Sequence, residues 1–161
     1  MCIIDEIRDK GEFLGVIVAT DDYTSMEFHS PHPDIEGISM RSYFRDYGDL
    51  VYFMFVNDHL MKIGKAAGDG GWNVRVNQYK RGLKGDQTNK LILSKLKNNG
   101  SYVIEVLGLK TPRIKTQIPC PLTETMIDTE IETAGSIEKY YTKKFLKESN
   151  ENKLAFCRQI N

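Results

Sequence analysis

Cysteine is scarce in this sequence: Cys2, Cys120 and Cys157 are the only three, odd in number and far apart. That leaves no basis for a disulfide framework or a thiolate zinc site, and they read as incidental or buried thiols. Long apolar runs are missing as well, none approaching the ~20 residues that cross a bilayer. The N-terminus carries no basic-then-apolar signal pattern. The expected compartment is the cytosol, with no membrane partner. The five prolines fall in two places, Pro31 with Pro33 and Pro112 with Pro119 and Pro121, and both stretches are expected to be irregular. Net charge is absent too, with 22 Lys and Arg against 22 Asp and Glu. What is present is ordinary: 161 residues, 40% hydrophobic and 27% charged, suit one soluble domain with a real core.

The zero net charge conceals an uneven distribution. Residues 1–61 carry four Lys or Arg against twelve Asp or Glu, whereas residues 62–115 carry twelve against three. Residues 116–161 are nearly balanced, at six against seven. A basic block of this kind is either a solvated face or the footprint of a polyanion, so nucleic acid enters as a candidate partner.

Periodicity and turn residues divide the chain into short elements. Residues 3–10 predict a helix, "FLGVIVAT" (13–20) a strand, and Asp21-Asp22 a turn into a second strand around Met26–Phe28. "HSPHPDIEG" (29–37) is a loop, in which His29 and His32 have no third metal ligand nearby. "LVYFMFVNDHLMKIGKA" (50–66) reads as a hairpin of strands 50–56 and 60–64 around Asn57-Asp58-His59. "GDGG" (68–71) lacks the Gly-Lys-Ser/Thr ending of a phosphate-binding P-loop. Helices are expected over 72–81, over 88–100 with Gly100 as C-cap, and over 136–148, where Ile137, Tyr140, Tyr141 and Phe145 form an apolar stripe. "SYVIEVLGL" (101–109) is a further strand. The order implies an α+β fold, a small mostly antiparallel sheet flanked by helices, with an N-terminal β extension. The expected division is an extension over 1–48, serving specificity or dimerisation, and a main domain over 49–161.

Several residues share positions that chemistry can use. With the hairpin centred on Asn57, Tyr52 lies opposite Lys62, about 5 Å away on one face. Arg75 and Tyr79 are spaced i, i+4 on one helix. Glu138 sits beside the apolar stripe of the last helix, and Asn150 follows twelve residues later. Each has an ordinary explanation alone: a strand aromatic, a surface charge, a carboxylate favoured by the start of a helix.

Taken in order, these residues resemble the GIY-YIG nuclease superfamily over residues 49–152. Leu50-Val51-Tyr52 is similar to the family's first motif and Lys62-Ile63-Gly64-Lys65-Ala66 to its second, with Lys62 standing where the second tyrosine is usual. "RVNQY" (75–79) resembles the Arg segment, and Glu138 and Asn150 the closing Glu and Asn. The resemblance implies a Mg²⁺-dependent DNA endonuclease, with Mn²⁺ as an alternative ion, of compact restriction or phage type. It implies Glu138 as metal ligand, with Glu130 and Glu132 as competitors. Tyr52 would position or deprotonate the attacking water, and Lys62 would hold it toward phenolate. Arg75 and Tyr79 would meet phosphate oxygens, and Asn150 would brace the Glu138 end. Lys65, Lys80, Arg81 and Lys84, from the basic block, would follow the backbone of double-stranded DNA. A homodimer or higher homo-oligomer is expected for double-strand cleavage. The alternatives are a catalytically idle DNA-binding module of this fold and a structure-specific nicking enzyme of repair.

Overall fold

The computed structural model describes residues 1–31 and 48–157. The loop expected over 29–37 lies, from His32 onward, outside the described residues. Helix α1 (Ile3–Lys10) leads into β1 (Glu12–Ala19) and β2 (Met26–His29), and the hairpin follows as β3 (Leu50–Val56) and β4 (His59–Ala66). Next come α2 (Gly71–Lys80), one 3₁₀ turn (Gly82–Lys84), α3 (Gln87–Asn99) and β5 (Val103–Lys110). Strands β6 (Arg113–Pro119) and β7 (Met126–Glu132) precede the final helix α4 (Ala134–Ser149). Strands β1 to β5 form one sheet in the order β2-β1-β5-β3-β4, with every pairing antiparallel. Two of its five strands come from the stretch read as an N-terminal extension, and β1 pairs directly with β5.

The apolar run Leu50–Val56 explains why the sheet is covered on both sides. All seven residues of β3 are buried. Leu50, Tyr52, Met54 and Val56 face a layer built on Trp72, Val76 and Tyr79 of α2 and Ile92, Leu93 and Leu96 of α3. Val51, Phe53 and Phe55 face Ile3 and Ile7 of α1 and Phe145 of α4. A strand that alternated polar and apolar residues would leave one face wet, whereas this one requires helices on both.

In the last helix Ala134 and Phe145 are buried and Ile137 and Tyr141 partly buried on the same side, whereas Tyr140 turns outward at 59% exposure. Gly100 caps α3 in the left-handed conformation expected of it, at φ 62°.

Two expectations need correction. The stretch marked irregular by Pro112, Pro119 and Pro121 forms a regular two-stranded ribbon, β6 paired with β7 from Arg113↔Glu132 to Pro119↔Met126. The prolines sit before β6, at its last residue and in its turn, where a missing N–H interrupts no ladder bond. The hairpin register also differs. Asn57 and Asp58 together form the turn, both with positive φ (48° and 66°), and the pairing slips by one residue between Met54 and Phe55. Lys62 therefore pairs with Met54, and Tyr52 pairs with Gly64. A shift of two along β4 keeps Lys62 on the face of Tyr52 but moves it to a diagonal position.

Candidate active site

Strand β4 is an edge of the sheet, and there β3, β4, α2, the start of α3 and α4 meet around a cavity of about 250 Å³. Tyr52 of β3, Lys62 and Lys65 of β4, Arg75 and Tyr79 of α2, and Glu138 of α4 all line it. Five of the six residues expected to carry the chemistry are thus brought together from separate parts of the chain.

Gly64 allows Tyr52 to reach the cavity. A Cβ at Gly64 would fall on the Tyr52 ring, so only glycine lets the phenol lie across β4 to the sheet edge. Trp72, fully buried at the start of α2, holds the other side of that ring at 5.0 Å between centroids. The α2 helix starts there because Gly70 takes a left-handed φ of 83° as its N-cap, ending the Gly68–Gly71 turn.

The Tyr52 and Tyr79 hydroxyls are 2.7 Å apart and buried. In this pair one hydroxyl donates to the other, so the acceptor keeps its own proton for a group in the cavity. Burial pushes the Tyr52 phenol up to about 12, against the opposing pull of the Tyr79 hydrogen bond and the Arg75 charge. Burial likewise pushes Tyr79 well above the usual phenol value. The expectation that Lys62 holds Tyr52 toward phenolate is therefore reversed. Desolvation of a phenolate outweighs the neighbouring positive charge, and Tyr52 is a neutral phenol at physiological pH.

Arg75 is fixed by the open edge of β4. Its Nε donates to the Lys65 carbonyl at 2.9 Å and one terminal nitrogen donates to Gln78 Oε1 at 2.9 Å. The guanidinium is thereby oriented while further donors remain. Glu138, half-buried, makes no hydrogen bond or ion pair among the described residues. Burial raises its carboxyl above the ordinary range, although Lys65, Lys62 and Arg75 draw it down. The rival carboxylates are engaged. Glu130 faces Arg113 at 3.9 Å, while Glu132 faces Lys65 at 3.6 Å and accepts the Gly135 N–H at 2.8 Å.

No cluster of three or more His, Cys, Asp or Glu suited to a metal occurs among the described residues. A cation that needs a protein cage does not fit. A hard ion held by one carboxylate, with waters and substrate phosphates completing its shell, does fit the unpartnered Glu138.

Other expected residues lie apart. Asn150 is the left-handed C-cap of α4, at φ 56°, and twelve residues of helix set it about 18 Å from Glu138. The bracing contact with Glu138 is not made. Lys80, Arg81 and Lys84 are exposed around the end of α2, outside the cavity. Two lining residues, Gln78 and Asn89, carry no sequence signal of a site. Asn89 is buried at the start of α3 and donates to the Gln78 carbonyl at 2.7 Å, joining α3 to the end of α2.

No family profile and no curated protein sequence matches the chain. Solved structures similar to it in fold include restriction endonuclease HPY188I in complex with product DNA, at 17% identity and a TM-score of 0.50 over 96% of this chain and 84% of that one. Another is a mutant of bacteriophage T4 EndoII, at 18% identity and a TM-score of 0.56 over 94% of this chain and 97% of that one. At these identities the likeness defines a class by fold: a five-stranded antiparallel α+β sheet flanked by four helices, shared with compact nucleases.

Proposed function

We propose that this chain is a divalent-metal-dependent DNA endonuclease of the GIY-YIG type, close to compact restriction or phage enzymes, with Mg²⁺ as its usual ion. The observation that carries this reading is the convergence of the Tyr52–Tyr79 pair, Lys62, Arg75 and Glu138 on one cavity. The likeness in fold to a restriction endonuclease solved with product DNA and to a phage endonuclease supports it.

Phosphodiester hydrolysis adds a water oxygen to phosphorus and breaks the opposite P–O bond, the attacking water giving up a proton to solvent and the leaving oxygen taking one from it. Charge gathers on the phosphoryl oxygens as it proceeds. Arg75 presents a planar fork to those oxygens, and Lys62 and Lys65 add positive charge beside them. Tyr52, a neutral phenol, orients the attacking water by hydrogen bonding, and its bond to Tyr79 fixes the direction of its own proton. Glu138 would hold the cation, which supplies polarisation of the phosphate and stabilisation of the leaving oxygen. Every part of this arrangement is positioning and fixed charge. The test is supercoiled plasmid incubated with Mg²⁺ or Mn²⁺, with and without chelator. Metal-dependent conversion to nicked or linear DNA is expected, and binding without cutting under every metal condition would replace this reading with the idle DNA-binding module.

The described residues bring the Tyr52, Arg75 and Glu138 set together at one cavity, so one protomer cuts one strand at a time. A homodimer is the proposed unit of double-strand cleavage. The β6–β7 ribbon is the surface suited to it. One face of the ribbon is uncharged, with cross-strand pairs Ile114–Ile131, Thr116–Thr129 and Ile118–Ile127. Its four isoleucines are each roughly half exposed. Ile-Thr-Ile opposite Ile-Thr-Ile gives an uncharged patch that can meet a copy of itself across a two-fold axis.

A further inference from the structure

A second cleft, about 620 Å³, opens between α3 and the C-terminal segment 151–157. From α3 it takes Gln87, Lys90, Leu91, Ser94 and Lys95, spaced i, i+3, i+4, i+7 and i+8 and so on one helix face. From the other wall come Lys153, Ala155 and Cys157. Lys90, Lys95 and Lys153 are exposed, and none of their ammonium groups is in a hydrogen bond or ion pair among the described residues. The single acid on the lining is Glu151. Three unpaired cations and the polar ends of Gln87 and Ser94 stand over a floor of Leu91, Ala155 and Cys157. Such a surface accepts a chain of anions joined by less polar sugars.

The cleft neighbours the candidate active site across the start of α3. Asp86, Thr88 and Asn89 line the catalytic cavity, and Gln87, Lys90 and Leu91, interleaved with them on the first turn of α3, line the cleft. Cys157, on the lining of the cleft, also feels the charges of Lys62 and Glu138 from the cavity. The segment is held in place by the Phe156 N–H, which donates to the Met61 carbonyl of β4 at 2.9 Å.

We propose that this cleft is the track for the DNA backbone beside the scissile phosphate, with Lys90, Lys95 and Lys153 contacting successive phosphates. The proposal rests on the endonuclease reading and assigns its substrate a path. It places the main backbone contact on α3 and the C-terminal segment and away from Lys80, Arg81 and Lys84. Successive turns of α3 advance 5.4 Å, which lets lysines one to two turns apart reach different phosphates.

The triple variant Lys90→Gln, Lys95→Gln, Lys153→Gln tests it, with a fluorescent DNA duplex titrated across a salt series without divalent metal. Three lost phosphate contacts should reduce the log–log salt slope by about 2.7, at about 0.9 per contact. The variant Lys10→Gln, on α1 across the sheet from α3, should leave the slope unchanged. A triple variant with the wild-type slope, in a protein that binds and cuts DNA, would overturn the track and leave the endonuclease reading intact. A wild-type protein that neither binds nor cuts duplex DNA would overturn both.

Discussion

The Tyr52 ring occupies the space where a side chain at Gly64 would be, so the two positions act as one unit. Gly64→Ala is expected to push the phenol out of line with Tyr79. Overpacking there should cost about 1–3 kcal/mol of stability, visible as a lower melting temperature, and plasmid cleavage should fall much further than stability does. An alanine variant with near wild-type cleavage would show that the Tyr52 position is immaterial to the chemistry. Glu138 invites the opposite experiment. Its carboxyl is raised by burial, so the folded state disfavours the charged form, and above the folded value that charge subtracts from stability. Glu138→Gln removes the charge and should leave the protein as stable as before or more so. Cleavage should nevertheless fall by on the order of a thousandfold, the usual scale for loss of a catalytic electrostatic group, while DNA binding persists. A stable Gln variant that still cuts would move the cation to another group.

At the scale of elements, an ion pair of unequal exposure ties the ribbon to the sheet, alongside the Lys65–Glu132 pair. Asp49, at 4% side-chain exposure, accepts two hydrogen bonds from Arg113, at 44%, and a third from the Gly68 N–H. The Arg113 guanidinium holds the Asp49 carboxyl below the usual value. The resulting stabilisation is complete above the ~3.9 of an unfolded aspartate and is lost as pH falls below it. Between about pH 5 and pH 2 the melting temperature of the wild type should therefore fall more steeply than that of Asp49→Asn, and parallel curves would remove the pair from the acid response. The same elements show what the sequence made legible. Continuous burial of β3, the Gly100 cap and the i, i+4 pair Arg75–Tyr79 were all readable, because local pattern determines them. The ribbon was obscured by reading Pro119 as a breaker, although the alternation Ile114-Thr116-Ile118 marks a strand that can end in proline. The hairpin register depended on whether one residue or two formed the turn, and on a slip at Met54/Phe55 that no pattern in the sequence marks. The neutral state of Tyr52 was illegible for another reason. Lys62 is near in sequence logic, but the outcome depends on burial by Trp72 and Tyr79, which only the assembled fold supplies.

On the scale of the whole molecule, the proposed dimer joins one cutting site to another through the ribbon. Ile118→Lys would place a charge in the middle of the uncharged face. Light scattering should then report monomers, and the plasmid assay should yield nicked circles where the wild type gives linear DNA. A charged variant that remains dimeric would assign the contact elsewhere. The open side of β4 has a consequence beyond catalysis. A free sheet edge offers unpaired carbonyls and amides to any other strand, and proteins that leave one bare tend to aggregate. The opposite edge, β2, is only four residues long. On β4 the Lys65 carbonyl is taken by Arg75 and the Met61 carbonyl by Phe156. The arginine offered to phosphate and the segment that walls the basic cleft thus also act as a guard rail against strand addition. A chain cut back before Lys153 would lose both a stretch of DNA path and part of that protection, so insolubility should accompany its loss of affinity.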